Sequence, residues 1–234
     1  MKTSGFYAHR IETIYVLVGG VDEAGRGPVI GPMVLVLAVI DESKLGKLEE
    51  LEVKDSKELS PERREELYPE IVKLLDDLVV VKILPAEIDA FVEGRGGLNE
   101  LEALKTAQMV TQAKKRPEIL YVDAPDPNPA KYVQRIERYL QDPPRIIAEN
   151  GADAKYPIVS AASIVAKVER DREVKKIEER YGSFGTGYPH DDRTVHFLEN
   201  LVQKNGGFPG IVRKSWSTAK RILERGTQRS ILDW

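Results

Sequence analysis

Uninterrupted apolar runs alternate along this chain with segments whose apolar positions recur every three or four residues, the pattern of strands alternating with helices. Two runs come first, Ile14 to Val21 and Val29 to Ile40, and their Val, Ile and Leu content predicts two strands joined by an acidic loop. Gly31-Pro32 early in the second predicts a bulge or a late strand start. Ser60-Pro61-Glu62 predicts a helix running toward Asp77, with Ser60 as N-cap and Pro61 at the first helical position. Leu78 to Leu84 reads as a third strand, Ala86 to Val92 as a short helix and Gly94 to Gly97 as a loop. Leu98 to Lys115 carries Leu101, Leu104, Ala107, Met109 and Val110 at near-helical spacing. Glu118 to Val122 reads as a fourth strand that delivers Asp123 at its C-terminal end.

Pro125, Pro127 and Pro129 interrupt regular structure, and Lys131 to Leu140 follows as an amphipathic helix. Arg145 to Ala148 is a short fifth strand. After Pro157 a long helix runs to about Tyr181, small and apolar from Val159 to Ala166 and densely charged beyond. Gly182 to Pro189 is a glycine-rich loop, Asp191 or Asp192 caps a helix through Leu201, and Ser215 to Arg225 forms the last helix. These elements predict an α/β fold, a five-stranded mixed sheet flanked by helices with a helical extension at the C-terminus.

Composition narrows the chemistry. The chain has 234 residues, 41% hydrophobic and 31% charged, which suits an ordinary globular protein with a sizeable core. It has no cysteine, which excludes disulfides, thiol catalysis and thiolate metal sites. No apolar run approaches the roughly 18–20 residues of a membrane span, and no signal-peptide pattern opens the chain, so a cytoplasmic protein with no membrane partner is expected. The net charge of −3 conceals an asymmetry: residues 1–154 hold 20 basic and 28 acidic side chains, residues 155–229 hold 15 and 9. A basic C-terminal third beside acidic strand ends suits either a nucleic-acid surface or a set of solvated helix faces.

The sharpest chemical signal is Asp22-Glu23-Ala24-Gly25-Arg26-Gly27-Pro28, between the first two apolar runs. Glycines on both sides of Arg26 let the backbone turn tightly and approach something outside the protein. Asp22, Glu23, Asp123 and Asp153 each stand where a strand or sheet-edge segment ends, and that is where α/β folds place their chemistry. Each alone also reads as a turn or capping residue. Two carboxylates about 4 Å apart repel by roughly 4 kcal/mol at an effective dielectric near 20. A converging set therefore either holds a proton at a raised pKa or binds a divalent cation. With oxygen ligands and only His9, His190 and His196 as nitrogen alternatives, Mg²⁺ or Mn²⁺ is favoured over Zn²⁺.

That stretch resembles the signature of ribonuclease HII, the type 2 ribonuclease H family, and four further segments do so in the same order. These are Asp55-Ser56-Lys57, Tyr121-Val122-Asp123, Ala152-Asp153-Ala154-Lys155 with Ser160 to Lys167, and Gly187-Tyr188-Pro189. The resemblance covers about Val16 to Leu223 and is greatest to archaeal members. It implies an RNase H-like fold and an endonuclease that cuts the RNA strand of RNA/DNA hybrids. It further implies nicking 5′ of ribonucleotides embedded in duplex DNA, by a two-metal hydrolysis that leaves 3′-hydroxyl and 5′-phosphate ends. By motif, Asp22, Glu23, Asp123 and Asp153 correspond to the catalytic ligands of two Mg²⁺ or Mn²⁺ ions. Backbone groups of Gly25, Arg26 and Gly27 correspond to those that contact the 2′-hydroxyl, and Tyr188 to the residue that packs on the neighbouring deoxynucleotide sugar. Lys57, Lys167 and Arg170 are phosphate-contact candidates.

The tail Thr227 to Trp234 places Gln228, Ile231 and Trp234 at the spacing of the box with which replication enzymes dock on the sliding clamp; a tail packed on its own domain is the alternative. The expected organisation is an extension over 1–13, a catalytic domain over 14–182, a helical region over 183–226 packed on it, and the tail over 227–234. The expected form is a monomer.

Overall fold

The computed structural model describes residues 15–51, 53, 59–94 and 96–232, with backbone alone over 226–232. The strands are β1 (Leu17–Ala24), β2 (Met33–Asp41), β3 (Asp77–Ile83), β4 (Ile119–Asp123) and β5 (Arg145–Glu149). The helices are α1 (Leu45–Glu50), α2 (Pro61–Leu74), α3 (Pro85–Gly94), α4 (Leu98–Gln112), α5 (Pro129–Glu137), α6 (Ala152–Lys155), α7 (Pro157–Tyr181), α8 (Asp192–Asn205) and α9 (Ser217–Leu232).

The strands form one sheet in the order β3-β2-β1-β4-β5. β1 and β3 each pair antiparallel with β2, whereas β1–β4 and β4–β5 are parallel. β2 is buried along all nine residues. Its even positions Val34, Val36, Ala38 and Ile40 join a core with α2 and the first half of α7. Its odd positions Met33, Leu35, Leu37 and Val39 join a second core with α3, α4 and α5. A strand covered on both faces needs an apolar residue at every position, which is why the sequence shows a continuous run here rather than an alternation.

α7 lies against β1 at Gly20, where an added Cβ would sit 2.4 Å from the Ile158 carbonyl oxygen. A third cluster joins Val29, Ile30 and Phe184 to Leu198 of α8, to Val212 and to Ile222 of α9. The C-terminal helices therefore pack against the segment that directly follows the Gly25–Gly27 turn.

Several boundaries differ from expectation. β1 continues through Ala24, so Asp22 and Glu23 lie in the strand and not in the loop after it. β2 starts late, after Pro32, as the Gly31-Pro32 pair predicts. Pro129 opens α5, with Asn128 as N-cap, rather than closing the preceding irregular stretch. α1 was not foreseen, because its six residues show no complete apolar repeat. α9 runs on to Leu232, beyond Arg225 and into the tail. Residues 1–14, Asp55-Ser56-Lys57 and Trp234 lie outside the described residues, as do the side chains of Gln228 and Ile231.

Candidate active site

Parallel pairing of the two central strands aligns their ends. Val21 stands opposite Val122, so the next residues, Asp22 and Asp123, emerge side by side. Asp123 in turn pairs with Glu149 at the end of β5. There Gly151, at φ 71°, turns the chain into α6, which carries Asp153. The Asp123 carboxylate accepts from the N–H of Gly151 at 2.7 Å and of Ala152 at 3.0 Å, so one acid fixes the segment that presents the other. Asp22, Asp123 and Asp153 each offer a carboxylate oxygen within 4.8 Å of the other two. Three of the four expected acids thus converge, and Glu23 lines the same cleft beside them.

The electrostatics match the crowding. Burial pushes Asp22 up to about 6, and Asp123 adds to the rise, while Ser163, Lys167 and the Glu23 N–H oppose it. Glu23 is held well above the ordinary range by burial first, then by Asp22, Glu102 and Asp123. A buried cluster of this kind holds a proton at neutral pH or takes up a cation. Every converging donor is a carboxylate oxygen, the donor set of a hard cation such as Mg²⁺ or Mn²⁺, so the residues present fit the implied metal.

The acids floor a cleft of about 400 Å³ whose walls include Arg64, Lys167, Arg170, the Gly25–Gly27 turn and Tyr188. Lys167 lies one turn beyond Ser163 on α7 and donates to its hydroxyl. Arg170 is largely buried beside Gly25 and Gly187, and its Nε and Nη2 have no hydrogen-bond partner among the described residues. Gly25 adopts φ 79°, and an added Cβ there would meet the Pro32 carbonyl oxygen at 2.9 Å. A Cβ on Gly27 would meet the Tyr188 ring at 3.0 Å, so the ring lies directly over the bare turn. The two expected glycines and Tyr188 therefore form one surface.

The Arg26 side chain is tied to α4. Its Nε donates to Glu102 at 2.8 Å and its Nη2 to Asn99 at 2.6 Å. Glu102 is buried and burial pushes it up to about 7, although Arg26 pulls against the rise. Sequence reasoning missed Glu102, which sits with Thr106 on the buried face of α4 among apolar neighbours; an acid and a threonine four apart on that face were the available signal. It also missed Arg64, Asp171, Arg213 and Trp216. Arg213 is fully buried, and in the sequence it is only the first of two adjacent bases, Arg213 and Lys214, after the Phe208 to Val212 stretch.

The family model for ribonuclease HII matches residues 19–219. The chain belongs to the ribonuclease HII family. It is 50% identical over 208 residues to ribonuclease HII of Pyrococcus abyssi, spanning 89% of this chain and 92% of that one. The crystal structure of ribonuclease H2 from Pyrococcus horikoshii OT3 superposes with a TM-score of 0.86 at 47% identity, over 91% of this chain and all of that one. The PCNA:RNase HII complex from Archaeoglobus fulgidus matches at TM-score 0.78 and 40% identity, over 88% of this chain and 96% of the matched chain. The RNase H-like fold and the family expected from the motifs are both borne out. Ribonuclease HII is an endonuclease class acting on the RNA of RNA/DNA hybrids, and this member is an enzyme of that class.

Proposed function

We propose that this ribonuclease HII nicks duplex DNA on the 5′ side of an embedded ribonucleotide as well as cutting longer RNA/DNA hybrids, leaving 3′-hydroxyl and 5′-phosphate ends. The observation that carries this reading is the meeting of three carboxylates within 4.8 Å directly beside a glycine turn roofed by Tyr188. Asp22, Asp123 and Asp153, with Glu23, hold two divalent cations, Mg²⁺ or Mn²⁺. When bound, such cations supply a water nucleophile at neutral pH and stabilise the attacking and leaving oxygens of an in-line displacement.

The remaining work belongs to the chain's own groups. The backbone of Gly25, Arg26 and Gly27 reads the 2′-hydroxyl, which is the atom that distinguishes RNA from DNA. Tyr188 packs on the neighbouring deoxyribose and selects the DNA side of the junction. Lys57, Lys167 and Arg170 neutralise flanking phosphates. The family relation to a protein seen in a PCNA:RNase HII complex supports docking on a sliding clamp through Gln228, Ile231 and Trp234.

The test uses end-labelled duplexes containing one ribonucleotide, four ribonucleotides or none, each with Mg²⁺ and with EDTA. Cation-dependent cleavage 5′ of the single ribonucleotide, with the all-DNA duplex intact, is expected. Cutting restricted to the longer RNA tract would overturn the single-ribonucleotide reading and leave the hybrid activity standing.

A further inference from the structure

The Gly25–Gly27 turn is held from behind by one buried side chain. Arg213 donates through Nη2 to the Gly25 carbonyl at 2.5 Å, through Nη1 to the Arg26 carbonyl at 2.8 Å and through Nε to the Gly31 carbonyl at 3.0 Å. The Trp216 indole N–H takes the next carbonyl, that of Gly27, at 3.0 Å. The Arg213 guanidinium lies 4.9 Å from the centre of the Trp216 ring, so the two donors brace each other. Their own turn is fixed by Asp89 of α3, which accepts from the N–H groups of Lys214 at 2.8 Å and Ser215 at 2.9 Å. Main-chain bonds lock the same unit: Arg213 N–H to the Val29 carbonyl at 2.9 Å and Gly31 N–H to the Ile211 carbonyl at 2.8 Å.

Peptide geometry turns this clamp into a statement about the cleft. In a planar trans peptide the carbonyl of one residue and the N–H of the next point in opposite directions. Drawing the carbonyls of Gly25 and Arg26 onto Arg213 therefore turns the N–H groups of Arg26 and Gly27 away from it, toward the side where these residues line the cleft. The Gly27 carbonyl is followed by Pro28, which has no N–H to lose. The Arg26 side chain is drawn aside by Glu102 and Asn99, so it leaves that approach open.

We infer that Arg213 and Trp216, seated by Asp89, are positioning residues that orient the N–H groups of Arg26 and Gly27 toward the ribose and so set the preference for a ribonucleotide over a deoxynucleotide. They touch no substrate and act through the turn. The inference rests on the turn reading the 2′-hydroxyl, as proposed above.

The test compares the full chain with Trp216→Phe, which keeps the ring and removes one donor, and with Arg213→Lys, which keeps the charge but cannot span three carbonyls as a planar fork does. Binding is measured by fluorescence anisotropy in EDTA, with a duplex bearing one ribonucleotide and with the same duplex in all-DNA form. Cleavage with Mn²⁺ and thermal unfolding are measured beside it. The full chain is expected to prefer the ribonucleotide duplex. Each variant is expected to lose about tenfold of that preference, the scale of one weakened hydrogen bond, while all-DNA affinity is unchanged. If Arg213→Lys fails to fold, Trp216→Phe decides alone. Unchanged preference in a folded Trp216→Phe overturns the inference, as does a full chain that shows no preference. A full chain that prefers the ribonucleotide duplex but cuts nothing would sink the nuclease reading and leave the positioning role intact.

Discussion

Asp22 shows at the residue scale how a site is bought with stability. The folded protein binds its proton more tightly than the unfolded chain does, because burial and Asp123 raise it to about 6. Its contribution to stability is therefore fully present below the ordinary carboxylate range and is lost as pH rises through about 6. Asp22→Asn is expected to raise the melting temperature of the metal-free protein at pH 8, with a gain of about 1–3 kcal/mol, while removing cleavage. Calorimetry of the two proteins in EDTA checks the sign; a lower melting temperature for the variant would contradict it. Asp22, Glu23 and Asp123 stand out in the sequence because each follows an apolar run, whereas Asp153, on the short α6, stands out through its motif. The clamp behind the glycine turn was not legible, because Arg213 and Trp216 lie far along the chain from Gly25 and only tertiary packing brings them together.

Packing at the level of elements decides how precisely the acids are held. α7 approaches β1 so closely at Gly20 that a methyl group there would strike the Ile158 carbonyl carbon at 2.5 Å and the Val159 nitrogen at 2.7 Å. Backbone cannot step aside as a flexible side chain can. Gly20→Ala is expected to cost at least about 1–3 kcal/mol, read as a drop in urea midpoint, and to lower activity through the shifted β1 end. A wild-type midpoint would show that α7 is not seated as described. Ser60 caps α2 by accepting from the Arg63 N–H at 3.2 Å, and Ser60→Ala should cost about 1 kcal/mol with cleavage unaffected. Both α2 and the full extent of α7 were readable from Ser60-Pro61 and from the run after Pro157. The start of α5 is hidden because Pro129 reads as a breaker after Pro125 and Pro127, although proline is at home in a first helical turn. The end of β1 is hidden in the same way, because an acid pair after Val21 looks like a loop, whereas the strand carries both acids into the cleft.

Across the whole molecule, the two charge regimes meet at the cleft. The acids come from β1, β4 and the short α6, all within the acidic part of the chain, while Lys167 and Arg170 come from the start of the basic part. An added divalent cation neutralises repulsion that folding imposes, so it should bind the native state in preference to the unfolded chain. Saturating Mn²⁺ is expected to raise the melting temperature more at pH 8 than at pH 5, where protons already occupy the cluster. Equal shifts at both pH values would place the cation elsewhere. The most direct test of the central claim is an anomalous difference map from a crystal soaked in Mn²⁺. Peaks over Asp22, Asp123 and Asp153, abolished together with cleavage in Asp123→Asn, are the predicted result. Peaks confined to another part of the molecule, with cleavage retained in Asp123→Asn, would contradict it.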